Sequence, residues 1–369
     1  MLKLDFNKLP VTPLFGSRYS NFKTICKNQE VDEGFRLKYL MSKSISALLS
    51  VTQPLENGVY NRKVKSLEMT DDPVFILGHW RSGTTYLHNV LSKDQQFGYN
   101  TTYQTIFTNA MVWGQPFFKG IMSKIMPDKR PTDNLELVPD QPQEEEFAFS
   151  NVMPVSFYNF WFFPKQTMDY CDKYLLFNGI TSEEKELFKE EFIRLIKTSL
   201  YNTGGKRFLS KNPPHTARVK HLLEIFPNAK FIYLVRNPYT VFESTRDYFS
   251  NVIKPLMLQD FSDQELEQNI LKVYQLMAEA YERDKHLIPE GNLYEMRFED
   301  FEQTPYTLTH DIYSRLGLSG FNEASDSIKK YIQKKKGHKK NRYAYAEDTI
   351  KKVNEHWKFA LEQWKYEIL

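Results

Sequence analysis

Cysteine is almost missing from this chain. The two present, Cys26 and Cys171, are too few and too far apart for a disulfide framework or a zinc site of cysteine pairs, and both are expected to be buried thiols. An excess of one charge sign is missing too: 49 Lys+Arg against 46 Asp+Glu leave a net charge of +3. That balance excludes a general nucleic-acid binder, so an anionic ligand has to be met locally. No apolar run approaches the ~18 residues that cross a bilayer, and the opening MLKLDFNKLPVTPLFGSRYSNF holds no stretch of signal-peptide length. The expected location is therefore the cytoplasm. Repeats, low-complexity tracts and Gly/Ser linkers are also lacking, and residues 1–369 are read as one domain.

What the chain does have is apolar bulk. Hydrophobic residues make up 41% of it, enough for a large core, and aromatics 15%, most tightly clustered at Phe157, Tyr158, Phe160, Trp161, Phe162 and Phe163. Over 33–50, Phe35, Leu37, Leu40, Met41, Ile45, Leu48 and Leu49 fall near helical spacing, which predicts an amphipathic helix laid over the core within a helical extension of residues 1–70. Val74 to Leu77, then Gly78 to Gly83, then Leu87, Val90 and Leu91 at i, i+3, i+4 read as strand, tight loop and helix. A second unit runs from a strand at Lys206 to Ser210, through Pro213 and Pro214, into a helix carrying Val219, Leu222, Leu223 and Phe226, then a strand at Lys230 to Val235. Such spacing implies right-handed crossovers and a parallel sheet. Thr181 with Glu184 forms a capping box before a long helix, Ser262 with Glu265 opens another, and further helices follow from Pro305 and over the last twenty residues. A strand is expected at Asn292 to Phe298. The fold class is α/β, a central parallel sheet with helices on both faces.

Gly78-His79-Trp80-Arg81-Ser82-Gly83-Thr84-Thr85 lies between the first strand and its helix, where backbone N–H groups and the helix N-terminus cradle anions. Its glycine spacing matches the nucleotide-triphosphate loop, but Thr84 stands where that loop needs the lysine that reaches the outer phosphates. A magnesium-bound triphosphate is thereby disfavoured. Arg236 follows the strand Phe231 to Val235, at the carboxyl end where α/β ligands sit, and Ser244 lies two helical turns further on. The pair offers one bidentate cation and one neutral donor for a second phosphate.

These two segments resemble the 5′-phosphosulfate loop and the 3′-phosphate segment of sulfotransferases that use 3′-phosphoadenosine 5′-phosphosulfate (PAPS), and the chain is identified as similar to their bacterial branch. The resemblance is specific at 75–91 and 233–248, looser from about 70 to 345, and carries no signature in the first 70 residues. It implies a P-loop-like sulfotransferase fold. It also implies that Arg81, Ser82, Gly83, Thr84 and Thr85 hold the 5′-phosphosulfate and that Arg236 with Ser244 holds the 3′-phosphate. In the family a basic segment near the C-terminal end closes over the cofactor, and the run from Lys335 to Asn341, with Lys340 and Asn341, is its counterpart.

Sulfuryl transfer to an alcohol needs in-line attack, a base for the hydroxyl proton, and cations where charge builds on the leaving oxygen. A sulfuryl group carries less negative charge than a phosphoryl group, so side-chain cations and loop amides suffice and no metal is expected. Arg81 fits the leaving-group role, and Lys211, ending the strand, resembles a lysine the family keeps there. The base is open. The animal cytosolic branch has a histidine two residues after that lysine; here Pro213 occupies that place and the nearest imidazole is His215. Other branches use a glutamate, and Asp140 to Phe149 looks like the acidic stretch of bacterial members, with Glu144 the first choice and Glu146 the second. Adjacent helical residues lie ~100° apart, so Glu144, Glu145 and Glu146 cannot all face one pocket.

Ile106 to Met126 and Val152 to Pro164 flank these glutamates inside an insertion at 100–180, and their aromatics and methionines suit either core packing or a wide apolar slot for a lipid, sterol or phenol-like alcohol. The first stretch, with Lys119 and Lys124, is also a candidate for peripheral membrane contact. A carbohydrate or glycolipid acceptor would use aromatic platforms as well. The remaining alternatives are a P-loop kinase, disfavoured by Thr84, and a non-catalytic nucleotide-binding module. Oligomeric state is not legible in the sequence.

Overall fold

The computed structural model describes residues 10–125, 138–335 and 344–369, and these divide into two compact units. One unit comprises Thr70–Gly98, Gly204–Asp247 and the described part of Gln264–Leu369. It holds a single parallel sheet of β1 (Val74–Leu77), β2 (Phe97–Gly98), β3 (Arg207–Lys211), β4 (Lys230–Val235) and β5 (Leu293–Arg297), in the order β2-β3-β1-β4-β5. Residues of β1 are buried on both sides, as a central parallel strand requires.

Side chains alternate across that strand. Val74 and Ile76 join Ile232 and Leu234 in a cluster with Leu87, Val90 and Leu91 of the helix Thr84–Leu91, Ile312 and Tyr313 of Pro305–Arg315, and Ile328 and Ile332 of Phe321–Lys335. Phe75 points the other way: it stacks on Phe231 at 5.5 Å and meets Phe226 at 6.1 Å and the edge of His215 at 5.7 Å. On that second face Tyr233 stacks on Tyr281 of the helix Asp263–Asp284 at 3.9 Å. Helices thus cover both faces, as the pattern of apolar residues implied.

Boundaries moved only slightly. β3 begins at Arg207 rather than Lys206 and ends, as expected, in Lys211. β2, two residues long, is too short to leave any periodicity. The final helix divides into Glu347–His356 and Lys358–Gln363 around Trp357, which is wholly buried and whose indole N–H donates to the Leu271 carbonyl at 3.0 Å.

The second unit comprises the described residues of Met1–Met69, Tyr99–Thr203 and Tyr248–Asp263, so the first 70 residues and the 100–180 stretch fall almost entirely within it. It is mainly helical. The expected capping box opens the helix Ser182–Thr203: Glu184 N–H donates to Thr181 Oγ1 at 3.2 Å and Thr181 N–H to Glu184 Oε2 at 3.0 Å. Phe157, Tyr158, Phe160, Trp161, Phe162 and Phe163 are all buried, with Tyr158 stacked on Trp161 at 4.0 Å. Cys171 is buried but Cys26 only partly so, and both are free thiols.

The helix expected over 33–50 forms at Arg36–Ser50, yet it faces opposite to the expectation. Its buried residues are Ser42 and Ser46, while Leu37 is 63% exposed, Leu40 55% and Leu48 71%. The reason is hydrogen bonding. Ser42 Oγ accepts from Thr12 N–H at 2.9 Å, Ser46 donates to the Ser17 carbonyl at 2.8 Å, and Ser50 Oγ accepts from Tyr19 N–H at 2.8 Å. A serine stripe every fourth residue thereby satisfies the irregular backbone at 12–19. Periodicity located the stripe but not the side that faces inward.

Candidate active site

The carboxyl ends of β3, β1 and β4 lie side by side, with Ile76 of β1 paired to Lys211 and Leu77 to Tyr233. Lys211, the loop after β1 and Arg236 therefore share one edge of the sheet, where ligands bind in open α/β folds.

The loop turns on three residues of positive φ: Gly78 at 140°, Arg81 at 68° and Gly83 at 89°. Gly78 passes so close to β4 that a Cβ would sit 2.4 Å from the Leu234 carbonyl oxygen, and its N–H donates to Thr216 Oγ1 at 2.8 Å. At Gly83 a Cβ would fall 2.1 Å from Cδ2 of Phe298. Arg81 is a non-glycine residue in the left-handed region, a conformation costing roughly 1–2 kcal/mol that persists where surrounding contacts enforce it. Two such contacts are present. Arg81 Nε donates to Ser244 Oγ at 2.8 Å, and Arg236 Nη1 donates to the Arg81 carbonyl at 3.1 Å.

Arg236 in turn lies over the ring of Phe298, 4.7 Å from its centroid, so one aromatic side chain packs against both Gly83 and Arg236. The helix Pro238–Tyr248, which carries the buried Ser244, starts with proline and is capped by Asn237, whose Oδ1 accepts from Tyr239 N–H at 3.0 Å. Asn237 N–H is itself held by Glu299 Oε1 at 3.0 Å. Ser82, Gly83, Thr84 and Thr85 lie at the N-terminus of the helix Thr84–Leu91, whose first N–H groups lack intrahelical partners by geometry. From 78 to 85 the loop holds one guanidinium and no carboxylate. That donor set suits a phosphate or sulfate ester. Among the described residues no group of His, Cys, Asp and Glu has the makings of a metal site.

Lys211 is buried at its strand tip, and its charge contributes to holding the buried His88 imidazole far below the ordinary histidine range, though burial is the larger cause. His215 has no exposed surface and lies in the short turn Pro213–Ala217. Burial first, and the Arg218 charge second, push its pKa well below the usual value. Its ring meets Phe75 at 5.7 Å in an edge contact. His79 is likewise buried, its pKa lowered to about 4 by burial, with the ring against Trp80, Tyr274 and Trp357. Lys340 and Asn341 lie outside the described residues.

The glutamates belong to the helical unit. Glu144 precedes the helix Glu145–Val152 and is buried, its carboxylate accepting a short hydrogen bond from the Tyr158 hydroxyl. Around that pair, Phe147 sets its edge against Tyr158 at 5.1 Å and Trp161 at 5.0 Å. Glu146 is engaged differently: Oε1 accepts from Ser156 Oγ at 3.0 Å and Phe157 N–H at 2.7 Å, bracing the aromatic segment. Phe298, Thr216 and Tyr158 were not singled out as site residues in the sequence, because each acts only through a neighbour far along the chain.

A model of the sulfotransferase family matches residues 73–323. The omega-hydroxy-beta-dihydromenaquinone-9 sulfotransferase Stf3 of Mycobacterium bovis is 29% identical over 336 residues, covering 90% of this chain and 84% of that protein, and its Mycobacterium tuberculosis counterpart matches equally. Among solved structures, sulfotransferase STF9 from Mycobacterium avium aligns with a TM-score of 0.67 at 15% identity over 99% of both chains. Sulfotransferase STF1 from Mycobacterium tuberculosis aligns at 0.64 and 14% identity, over 95% of this chain and 93% of that one. These structural likenesses establish the fold. The family model spans well over half of the sequence, and the chain accordingly belongs to the sulfotransferase family, enzymes that transfer sulfuryl groups.

Proposed function

We propose that this enzyme transfers a sulfuryl group from PAPS to a hydroxyl on a hydrophobic small molecule, releasing adenosine 3′,5′-bisphosphate. The observation that carries the reading is the junction of Arg81, Ser244 and Arg236, which joins the phosphate loop to the arginine at the tip of β4. In this reading the loop from Arg81 to Thr85 holds the 5′ end of the nucleotide, and Arg236 with Ser244 holds the 3′-phosphate. Bound PAPS supplies the activated sulfuryl group, and no metal is required. Arg81 and Lys211 neutralise charge on the leaving oxygen. Glu144 takes the acceptor's proton on its carboxylate, which Tyr158 keeps oriented, and Glu146 is assigned to holding the aromatic segment.

The acceptor is read as a lipid alcohol, because the relative Stf3 is by name a sulfotransferase of an omega-hydroxylated menaquinone derivative. Residues 100–180 supply its binding surface within one sulfotransferase domain of 1–369. Peripheral contact with a membrane belongs to this reading, and the free thiols of Cys26 and Cys171 support a cytoplasmic home. The test is transfer of radiolabelled sulfate from PAPS across prenylated quinols, sterols, phenols and sugars bearing free hydroxyls. Labelled hydrophobic alcohols are the expected product. Labelling confined to sugars would overturn the acceptor, and failure to release the bisphosphate with every compound would overturn the reaction.

A further inference from the structure

The reversed helix Arg36–Ser50 leaves an apolar stripe on the surface. Leu37, Leu40 and Leu48 are more than half exposed, and Met41 is 37% exposed. The stripe continues past the helix end through Val51, 75% exposed, and Leu55, 58% exposed, at the start of the helix Gln53–Lys63. Within the helix Arg36–Ser50, the spacing of Leu37, Leu40, Met41 and Leu48 keeps these side chains on one face. The face is also rigidly presented: Ser42, Ser46 and Ser50 fix one side of the helix, and Lys38 Nζ donates to the Pro255 carbonyl at 2.7 Å. At the corner, Thr52 Oγ1 donates to the Asn109 carbonyl and Glu56 accepts from Val112 and Trp113 N–H, tying the stripe to the segment before the helix Gln115–Ile125. That helix adds Phe117, 65% exposed, and Ile121, 39% exposed, to the apolar surface of this unit.

Charge indicates what covers the stripe. From Gly34 to Leu55 the chain contains Arg36, Lys38 and Lys43 and no carboxylate; Arg36 pairs with Glu33 at 3.6 Å and Lys38 is engaged by the Pro255 and Met257 carbonyls, while Lys43 and the exposed Arg62, Lys63 and Lys65 add positive charge along this stretch. A second copy laid on this face would set cations against cations, whereas an anionic lipid surface supplies phosphates for them and acyl chains for the leucines. No helix among the described residues is long and apolar enough to cross a bilayer. We propose that the Leu37–Leu55 face is a docking surface for an anionic membrane, the helix lying in the interfacial plane with its leucines at the acyl boundary. The proposal takes from the lipid-acceptor reading only that the enzyme works at a bilayer, and its test needs neither acceptor nor nucleotide.

The experiment is flotation of the full chain with vesicles of phosphatidylcholine alone and of phosphatidylcholine mixed with phosphatidylglycerol. Binding is expected to the mixed vesicles, to weaken with salt, and to fall about tenfold or more in the double variant Leu40→Ser, Leu48→Ser, whose melting temperature should match the wild type because both positions face outward. Wild-type protein that stays unbound, or a double variant that floats equally well, would overturn the proposal. So would a wild-type dimer in sedimentation that the same double substitution dissociates, which would give the face to a second copy. Should vesicle binding hold while lipid alcohols go unlabelled, the acceptor reading fails and the docking surface stands.

Discussion

Arg81 Nε and Ser244 Oγ lie 2.8 Å apart, and this hydrogen bond joins the strained loop after β1 to the helix after β4 in the arrangement proposed to hold the nucleotide. Arg236, whose guanidinium holds the Arg81 carbonyl, completes it.

Replacing Arg236 removes both a charge for the nucleotide and the clamp on the Arg81 backbone. Arg236→Ala is expected to weaken adenosine 3′,5′-bisphosphate by about 2–4 kcal/mol, roughly 30-fold to 1,000-fold. Calorimetry with the isolated bisphosphate measures this directly, and unchanged affinity would remove Arg236 from the site.

Arg81→Gly separates chemistry from strain. Glycine adopts a φ of 68° without penalty, so the variant's melting temperature should hold or rise, while kcat falls on the order of 100-fold from loss of the leaving-group cation. A collapse of the melting temperature with no change in kcat would make the side chain a structural one.

At Gly83 the constraint is steric. Gly83→Ala drives a methyl into the Phe298 ring and should destabilise the protein by about 1–3 kcal/mol while loosening nucleotide binding through Arg236. Adding Phe298→Leu should return part of the stability. Denaturant unfolding of the single and double variants forms the cycle, and strict additivity would refute the contact's role.

Glu144→Gln and Tyr158→Phe test the base. The first should cost about 100-fold or more in kcat and the second several-fold, with folding retained in Tyr158→Phe. His215→Asn should leave the pH–rate profile without any lost ionisation near neutrality, since the buried imidazole is already neutral there. Disappearance of an ionisation would assign His215 a part in the chemistry.

Stability should fall in acid. His79 titrates at about 4 folded and near 6.5 unfolded, so the unfolded chain binds the extra proton between these values. Its contribution is fully present above pH 6.5, is lost as pH falls toward 4, and amounts to about 3 kcal/mol. Urea unfolding at pH 7 and pH 5 should show the loss, and His79→Gln should flatten it.

The sequence made the parallel sheet and phosphate loop legible because both rest on local patterns, a buried strand next to glycines and a helix start. Arg236 and Ser244 were expected near one another, and the structure links each of them to Arg81. Phe298 was not, since its part depends on β5 lying beside β4, which no local pattern states. Nor was the outward turn of Leu40 and Leu48. Periodicity is blind to which of two faces meets the core, and here the serine stripe, with its hydrogen bonds to 12–19, decided it.

The separation of 163 in sequence from Arg81 to Ser244 also fixes the order of events while the protein is being made. A nascent chain that has emerged only as far as the helix Ser182–Thr203 already contains the phosphate loop but nothing to close it, and β1 at that point lacks both of its sheet neighbours. On the proposed reading, nucleotide affinity arrives late in synthesis, after β4 has been translated and inserted beside β1.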